Sequence, residues 1–262
     1  MAFGLIIIGD EILSGKRSDK HLPKVIELLA ERGLGLAWAE IVGDDRSRIT
    51  ALLERSFAGP DIVFSCGGIG ATPDDHTRQC AAAALGVPLA LHPEGKLLVQ
   101  ERIRDTAREA GLEADLDAPE NLQRLKLAEF PQGATLIPNP YNRIPGFSVA
   151  RHHFVPGFPV MAWPMIAWVL DTHYRELFHR EARAERSLLV YAQAEAVLTP
   201  LMERLEAAWP GVNVFSLPSV GDMKTRRHIE LGVKGDPLQV DAAFGEMCAE
   251  LTRMAAEYQV QN

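Results

Sequence analysis

The apolar positions of this chain follow two periods, and the order in which they alternate predicts a layered α/β fold. Residues 5–8 are a continuous aliphatic run, as in a strand covered on both faces. The polar stretch Gly9-Asp10-Glu11-Ile12-Leu13-Ser14-Gly15 breaks it. Residues 20–32 then take helical spacing, with Leu22, Val25, Ile26, Leu28 and Leu29 on one side, and Gly33 and Gly35 end the helix. Residues 36–42 read as a second strand, Gly43-Asp44-Asp45 as a turn, and 46–58 as a second helix. A third strand at 62–65 runs into a glycine-rich turn and an alanine-rich helix through Leu85. This β-α-β-α-β-α order with short connections implies a mainly parallel sheet with helices on both faces.

Beyond it the pattern is helical over 97–127, interrupted by Gly111 and Pro119. Short strands are expected at 135–137, 147–150 and 153–155, and a helix at 161–179. The charged run 180–186 reads as a linker or a helix end. After it come a strand (187–191), a helix (195–208), two strands (212–217, 227–233) and a final helix (240–258). The predicted organisation is therefore a three-layer α/β/α domain over 1–178 and a small α+β domain over 185–262.

Three polar turns directly follow the first three strands: residues 9–15, 43–45 and 67–77. In parallel sheets ligands bind beyond the carboxyl ends of the strands, so these turns should converge on one edge. The third turn, Cys66-Gly67-Gly68-Ile69-Gly70-Ala71-Thr72-Pro73-Asp74-Asp75-His76-Thr77, carries the most chemistry. Glycines let the backbone approach a ligand, and the following helix N-terminus favours an anion. Its carboxylates and hydroxyls suit a metal-assisted phosphate or pterin site. One of Asp74 and Asp75 is expected to cap the helix, which leaves the other for the ligand or its metal. Asp10 and Glu11 join the site by position. Asp44 and Asp45 could both cap a helix and hold a cation, and Asp19 is expected to cap the first helix. His21 and His76 could reach a phosphate. His152 and His153, adjacent on a strand, point to opposite faces and should not chelate together.

Composition narrows the classes. A formal net charge of -8 argues against a nucleic-acid binder, and so does the C-terminal region, with seven Lys and Arg against eleven Asp and Glu. The N-terminus lacks the pattern of a signal peptide, and the apolar run 154–170 is broken by Pro156, Pro159 and Pro164, so no membrane segment is expected. Cys66, Cys80 and Cys248 show no paired spacing, which points to a reducing compartment, by default the cytoplasm. No Ser-His-Asp or Cys-His order supports covalent catalysis.

The turn 67–77 resembles the hallmark of the MoaB/Mog-type molybdopterin-binding domain in its CinA-like (competence/damage-inducible protein A) version. Ile8-Gly9-Asp10-Glu11-Ile12-Leu13-Ser14-Gly15 is similar to that family's opening motif, and Val42-Gly43-Asp44-Asp45 to its second turn. Gln123-Arg124-Leu125-Lys126, Pro131-Gln132-Gly133-Ala134, Asn139-Pro140 and Val155-Pro156-Gly157-Phe158-Pro159 follow in the family's order. The likeness covers about residues 3–170, and the tail resembles the small KH-like domain of CinA proteins.

The resemblance implies a phosphate-bearing pterin or nucleotide as ligand, a divalent cation such as Mg²⁺, and self-association as a homo-oligomer. It places Asp45 and Asp75 as catalytic acids and Asp44, Asp45 and Asp75 as metal ligands. The ligand-binding set becomes Gly9, Asp10, Glu11, Gly67, Gly68, Gly70, Thr72, Asp74, Thr77, Asn139, Pro156 and Gly157. Relatives bind molybdopterin or cleave the pyrophosphate of nucleotides such as ADP-ribose. The chain departs from them at His21, at Asn142-Arg143-Ile144-Pro145-Gly146 and at Met161. It ends where CinA proteins continue into a nicotinamide-nucleotide deamidase domain, so that activity is expected to be absent. A carrier or sensor, a metal-dependent pyrophosphatase and a non-enzymatic interaction protein all remain compatible with the sequence.

Overall fold

A computed structural model describes residues 2–180, 184–221 and 225–261. The first half alternates as the pattern predicts, except that the stretch expected as a polar turn at 9–15 contains a short helix: β1 (Phe3–Ile8), α1 (Asp10–Leu13), α2 (His21–Ala30), β2 (Leu36–Val42), α3 (Arg46–Phe57), β3 (Ile62–Cys66) and α4 (Thr77–Leu85). Then come β4 (Leu89–Leu91), α5 (Pro93–Glu109), α6 (Pro119–Leu125), β5 (Glu129–Pro131), β6 (Thr135–Ile137), β7 (Gly146–Val149), β8 (His152–Val155) and α7 (Pro159–His173). The main sheet has the order β2-β1-β3-β8-β7-β6. Its first four strands are parallel, and β7 alone runs against them, antiparallel to β8 on one side and to β6 on the other.

The aliphatic run of β1 explains the layering. Its six residues are all buried, and successive side chains go to opposite faces. Leu5 and Ile7 pack with Val25 and Leu29 of α2 and Ile166 and Val169 of α7. Ile6 and Ile8 pack with Ile49 and Leu53 of α3 and Ala81 of α4. A strand apolar at every position therefore holds both helix layers at once.

The chain divides into two compact units, Met1–Phe178 and His179–Asn262. The second contains β9 (Ala184–Tyr191), α8 (Glu195–Ala208), β10 (Val212–Ser219), β11 (His228–Gly235), α9 (Pro237–Arg253) and β12 (Glu257–Val260). Its antiparallel sheet runs β10-β11-β9-β12, the split βαβ element order. Leu188, Val190, Leu231 and Val233 meet Leu198, Leu205, Phe244 and Met247 in a core of their own.

Four expectations need correction. The last helix ends at Arg253, and the chain re-enters the sheet as β12 after Ala255, whose φ of 53 turns it sharply. The run 180–186 is not wholly a linker, because Arg186 already pairs with Val233, while residues 181–183 lie outside the described residues. The helix expected at 161–179 spans Pro159–His173 instead. The small β4–β5 ladder was not anticipated. Among the described residues no helix is long and apolar enough to cross a membrane.

The two adjacent histidines of β8 do take opposite faces. His152 Nδ1 donates to the Ala150 carbonyl at 2.9 Å, and its Nε2 accepts from Ser56 Oγ at 2.7 Å. His153 bonds Ser148 Oγ and Tyr174 Oη at 2.8 and 2.7 Å. Burial lowers their pKa values to about 4 and about 3. Both are neutral in the folded protein, whereas the unfolded chain takes up protons below about pH 6.5. Stability should therefore be full above that pH and fall as pH drops towards 4, by up to ~1.4 kcal/mol per pH unit for each histidine. Denaturant titrations across this window check it, and His152→Gln should flatten the slope while lowering stability at pH 7.5.

Candidate functional site

The exits of β1 and β2 are stitched together by backbone and carboxylate bonds. Gly9 N–H donates to the Val42 carbonyl at 3.0 Å. Asp10 N–H then donates to Asp44 Oδ2 at 2.8 Å, and Asp44 N–H to Asp10 Oδ1 at 3.2 Å. Gly43 lies against the Asp10 carboxylate, where a Cβ would collide. Asp10, Glu11, Leu13, Ser14, Lys16, Asp44 and Asp74 line a cleft of about 630 Å³. Half-burial, followed by the charges of Asp10, Glu11 and Asp74, raises the Asp44 pKa above the usual carboxylate value.

The glycine turn fits closely against this edge. Gly67 has φ 111, its N–H donates to the Val155 carbonyl at 3.0 Å, and a Cβ there would run into the Ile8 carbonyl oxygen. Gly68 has φ 66 and faces the Thr77 hydroxyl. Thr77 is buried, with Oγ1 donating to Gly67 O at 3.1 Å and N–H to Gly68 O at 3.0 Å. It shapes the turn from below. The amides of Gly68, Ile69, Gly70 and Ala71 donate to no group of the described protein. Successive free amides of this kind form a concavity that suits an anion.

The predicted acids divide according to what has captured them. Asp44, Asp10, Glu11 and Asp74 share the cleft. Asp45 does not join them: its Oδ1 caps α3, accepting from Arg48 N–H at 2.9 Å and Ser47 Oγ at 2.6 Å. Those bonds hold its carboxyl below the usual range. Asp75 turns back onto Thr72, its Oδ2 accepting from the amide at 2.9 Å and from Oγ1 at 2.5 Å. The expected carboxylate cap on α4 is absent, since its N-cap is His76 without a side-chain bond. Among the described residues no three His, Cys, Asp or Glu side chains converge to hold a metal ion as they stand.

The remaining residues are placed as follows. Asn139 is buried and organises its own loop through Asn142 Oδ1, the Ile144 carbonyl and Tyr141 N–H. Pro156 and Gly157 follow β8, and Gly157 packs on the Cα of Gly67. His21 is buried at the start of α2, with Nε2 donating to the Gly157 carbonyl at 3.0 Å, so it braces the edge. Asp19 caps α2 through the amides of His21 and Leu22, both at 2.9 Å. His76 Nδ1 accepts from Arg46 Nε at 3.1 Å. Burial pushes the Cys66 thiol far up, so it is no nucleophile.

One residue escaped the sequence reading. Arg78, 2% exposed, lies beneath the turn. Its Nη2 donates to the Gly70 carbonyl, and Nη1 donates to the carbonyls of Lys126 and Glu129. The Gln123–Lys126 motif comes back to the same place, with Gln123 Nε2 reaching the Ala71 carbonyl at 3.5 Å. That return was the available signal.

A mainly parallel sheet between two helix layers, with its polar turns at the carboxyl ends of the strands, places this domain in the three-layer α/β class. The chain belongs to the family described as the probable molybdopterin binding domain, which matches residues 4–180. It is 36% identical to a CinA-like protein of Anaeromyxobacter sp. (strain K), over 97% of this chain and 64% of that protein. A CinA-like protein of Anaeromyxobacter sp. (strain Fw109-5) is 32% identical over 94% and 62%. The chain thus spans less than two thirds of the length of these relatives. The solved structure of the protein CinA from Thermoplasma acidophilum shares the fold, with a TM-score of 0.55 at 23% identity, covering 65% of this chain and 98% of that one.

Substitutions at two positions separate shape from chemistry. Gly68→Ala should cost about 1–2 kcal/mol, because an L-residue is strained at positive φ and its Cβ meets Thr77. Asp45→Ala should lose ~1 kcal/mol by uncapping α3, while Asp45→Asn, which still caps, should stay near wild type. Urea midpoints at unchanged m read both.

Proposed function

We propose that the protein binds a phosphate-bearing pterin or nucleotide at the carboxyl edge of its main sheet, together with a divalent cation. The row of free amides from Gly68 to Ala71, beside a cleft of four carboxylates, is the observation that supports this reading. The amides offer the phosphate its donors. The carboxylates alone would repel it, so a cation between them and the ligand reconciles the two halves of the edge. Oxygen-only donors suit a hard ion such as Mg²⁺. The raised pKa of Asp44 reports desolvation and mutual repulsion that such an ion would relieve. Exposed Asp10 and Asp74 and the part-exposed Glu11 would have to rotate to complete its shell. When bound, the ion would neutralise phosphate oxygens and polarise a phosphoryl group.

The family description makes molybdopterin the first ligand to test, and self-association as a dimer or trimer belongs to the same proposal. A second reading is hydrolysis of a pyrophosphate such as that of ADP-ribose. Water would add to one phosphorus while the bridging oxygen leaves with the other phosphate. Asp44, with its raised proton affinity, suits the role of accepting the proton from water. Asp45 and Asp75, engaged as cap and brace, set the shape of the site in both readings.

Thermal shift and titration calorimetry with a phosphorylated pterin and with ADP-ribose, each with and without Mg²⁺, test the proposal. Asp44→Asn should raise the melting temperature of the ligand-free protein at pH 7, because it removes a repelled charge. It should weaken Mg²⁺-dependent binding at least tenfold, or about 1.4 kcal/mol. Unchanged Mg²⁺-dependent affinity in this variant would remove Asp44 from the cation's shell, and wild-type binding that does not respond to Mg²⁺ would remove the cation from the proposal. Release of AMP from ADP-ribose separates turnover from binding, and light scattering reads the oligomer.

A further inference from the structure

Arg78 is an expensive way to hold a loop. It is 2% exposed, and its hydrogen bonds go to three backbone carbonyls, those of Gly70, Lys126 and Glu129. Its Nε is buried without a partner. Among the described residues no carboxylate lies within ion-pair distance of it, although Glu129 and Asp75 act on it from further away. A buried charge costs several kcal/mol more than a buried neutral amide, and an amide would also donate to carbonyls. Stapling alone does not require a cation here.

Peptide geometry indicates what the cation does. The bond between Gly70 and Ala71 is trans, as are all others described, so the Ala71 N–H points opposite to the Gly70 carbonyl. By drawing that carbonyl down, Arg78 aims the Ala71 amide away from itself, on the other side of the turn. A positive donor on the carbonyl also polarises the peptide and strengthens its N–H as a donor. Gln123 and Asp75 continue the pattern: one holds the Ala71 carbonyl, the other the Thr72 amide.

We infer that Arg78 is a positioning residue for anion binding, which fixes the direction of the Ala71 amide and supplies the positive charge behind the Gly68–Ala71 amide row. The inference rests on the proposed phosphate-binding reading and deepens it. The turn takes the pyrophosphate or phosphomonoester end of the ligand, with Arg78 behind the peptides and the cleft acids to one side. The recognised chemistry is a phosphate dianion or diphosphate rather than a carboxylate or a neutral ring.

The test compares wild type, Arg78→Gln and Arg78→Lys, using inorganic pyrophosphate and ADP-ribose as probes at low and high salt, with Mg²⁺. Melting temperature is followed in parallel. Arg78→Gln should weaken both probes at least tenfold and flatten the salt dependence of binding. Arg78→Lys, which keeps the charge but not the fork, should recover at least threefold of that loss. A merely structural arginine would lower the melting temperature without changing the salt dependence, and that result overturns the inference. If Arg78→Gln does not fold, Arg78→Lys decides: binding within about threefold of wild type supports the role of charge, and a tenfold loss at unchanged melting temperature overturns it. If wild type binds neither probe, the phosphate-binding reading itself fails. If wild type binds and Arg78→Gln binds equally well, only the present inference fails.

Discussion

Where β1 and β3 end side by side, the backbone of Gly67 lies so close to the Ile8 carbonyl that no side chain fits between them. This contact lets the third turn fold back over the first strand. The same glycine donates to the end of β8, and Gly9 donates to the end of β2. Four parallel strands thus share one fastened edge, and each polar turn must emerge there. The site depends on that closure. An apolar strand run can build the sheet, but only a residue without a Cβ lets the turn sit down on it.

Once the edge is closed, nearby donors decide what each acid does. Asp45 meets the free amides of α3, and Asp75 meets Thr72, so both carboxylates are occupied in shaping the backbone. Asp44 meets the Asp10 amide in a pocket of like charge, which leaves it desolvated and repelled. A stable fold has no need of that arrangement, and strain of this kind is common where function requires it. On the glycine side lie free amides with a buried guanidinium beneath them. Asp74 of the same turn lines the acidic cleft, so the carboxylates and the free amides adjoin along one edge.

The amino ends of the strands carry polar groups of another kind. His152 and His153 flank β8 on its two faces and are each satisfied by hydroxyls or carbonyls within the core. They are neutral packing elements whose cost appears only on acidification. The C-terminal unit closes its own core in the same economical way, with β12 pairing on β9 and hiding the edge that a shorter chain would leave open.

The sequence determined the layers and the edge. Periods of two and of 3.6 residues, glycine stops and short connections were enough for the parallel sheet, its two helix layers and the convergence of three turns, because these follow from local spacing and from the handedness of connections. The glycine turn was legible because positive φ and close approach leave glycine as a chemical signature. The division of labour among Asp44, Asp45, Asp74 and Asp75 was legible only in part: the donors that capture Asp45 and Asp75 lie two or three residues away in the chain, whereas the like charges of Asp10 and Asp74 reach Asp44 only through tertiary structure. Arg78 was hidden for the same reason. Its partners Lys126 and Glu129 are about fifty positions away, and only the packing of the 126–129 segment against α4 turned an ordinary helix arginine into a buried cation under the turn.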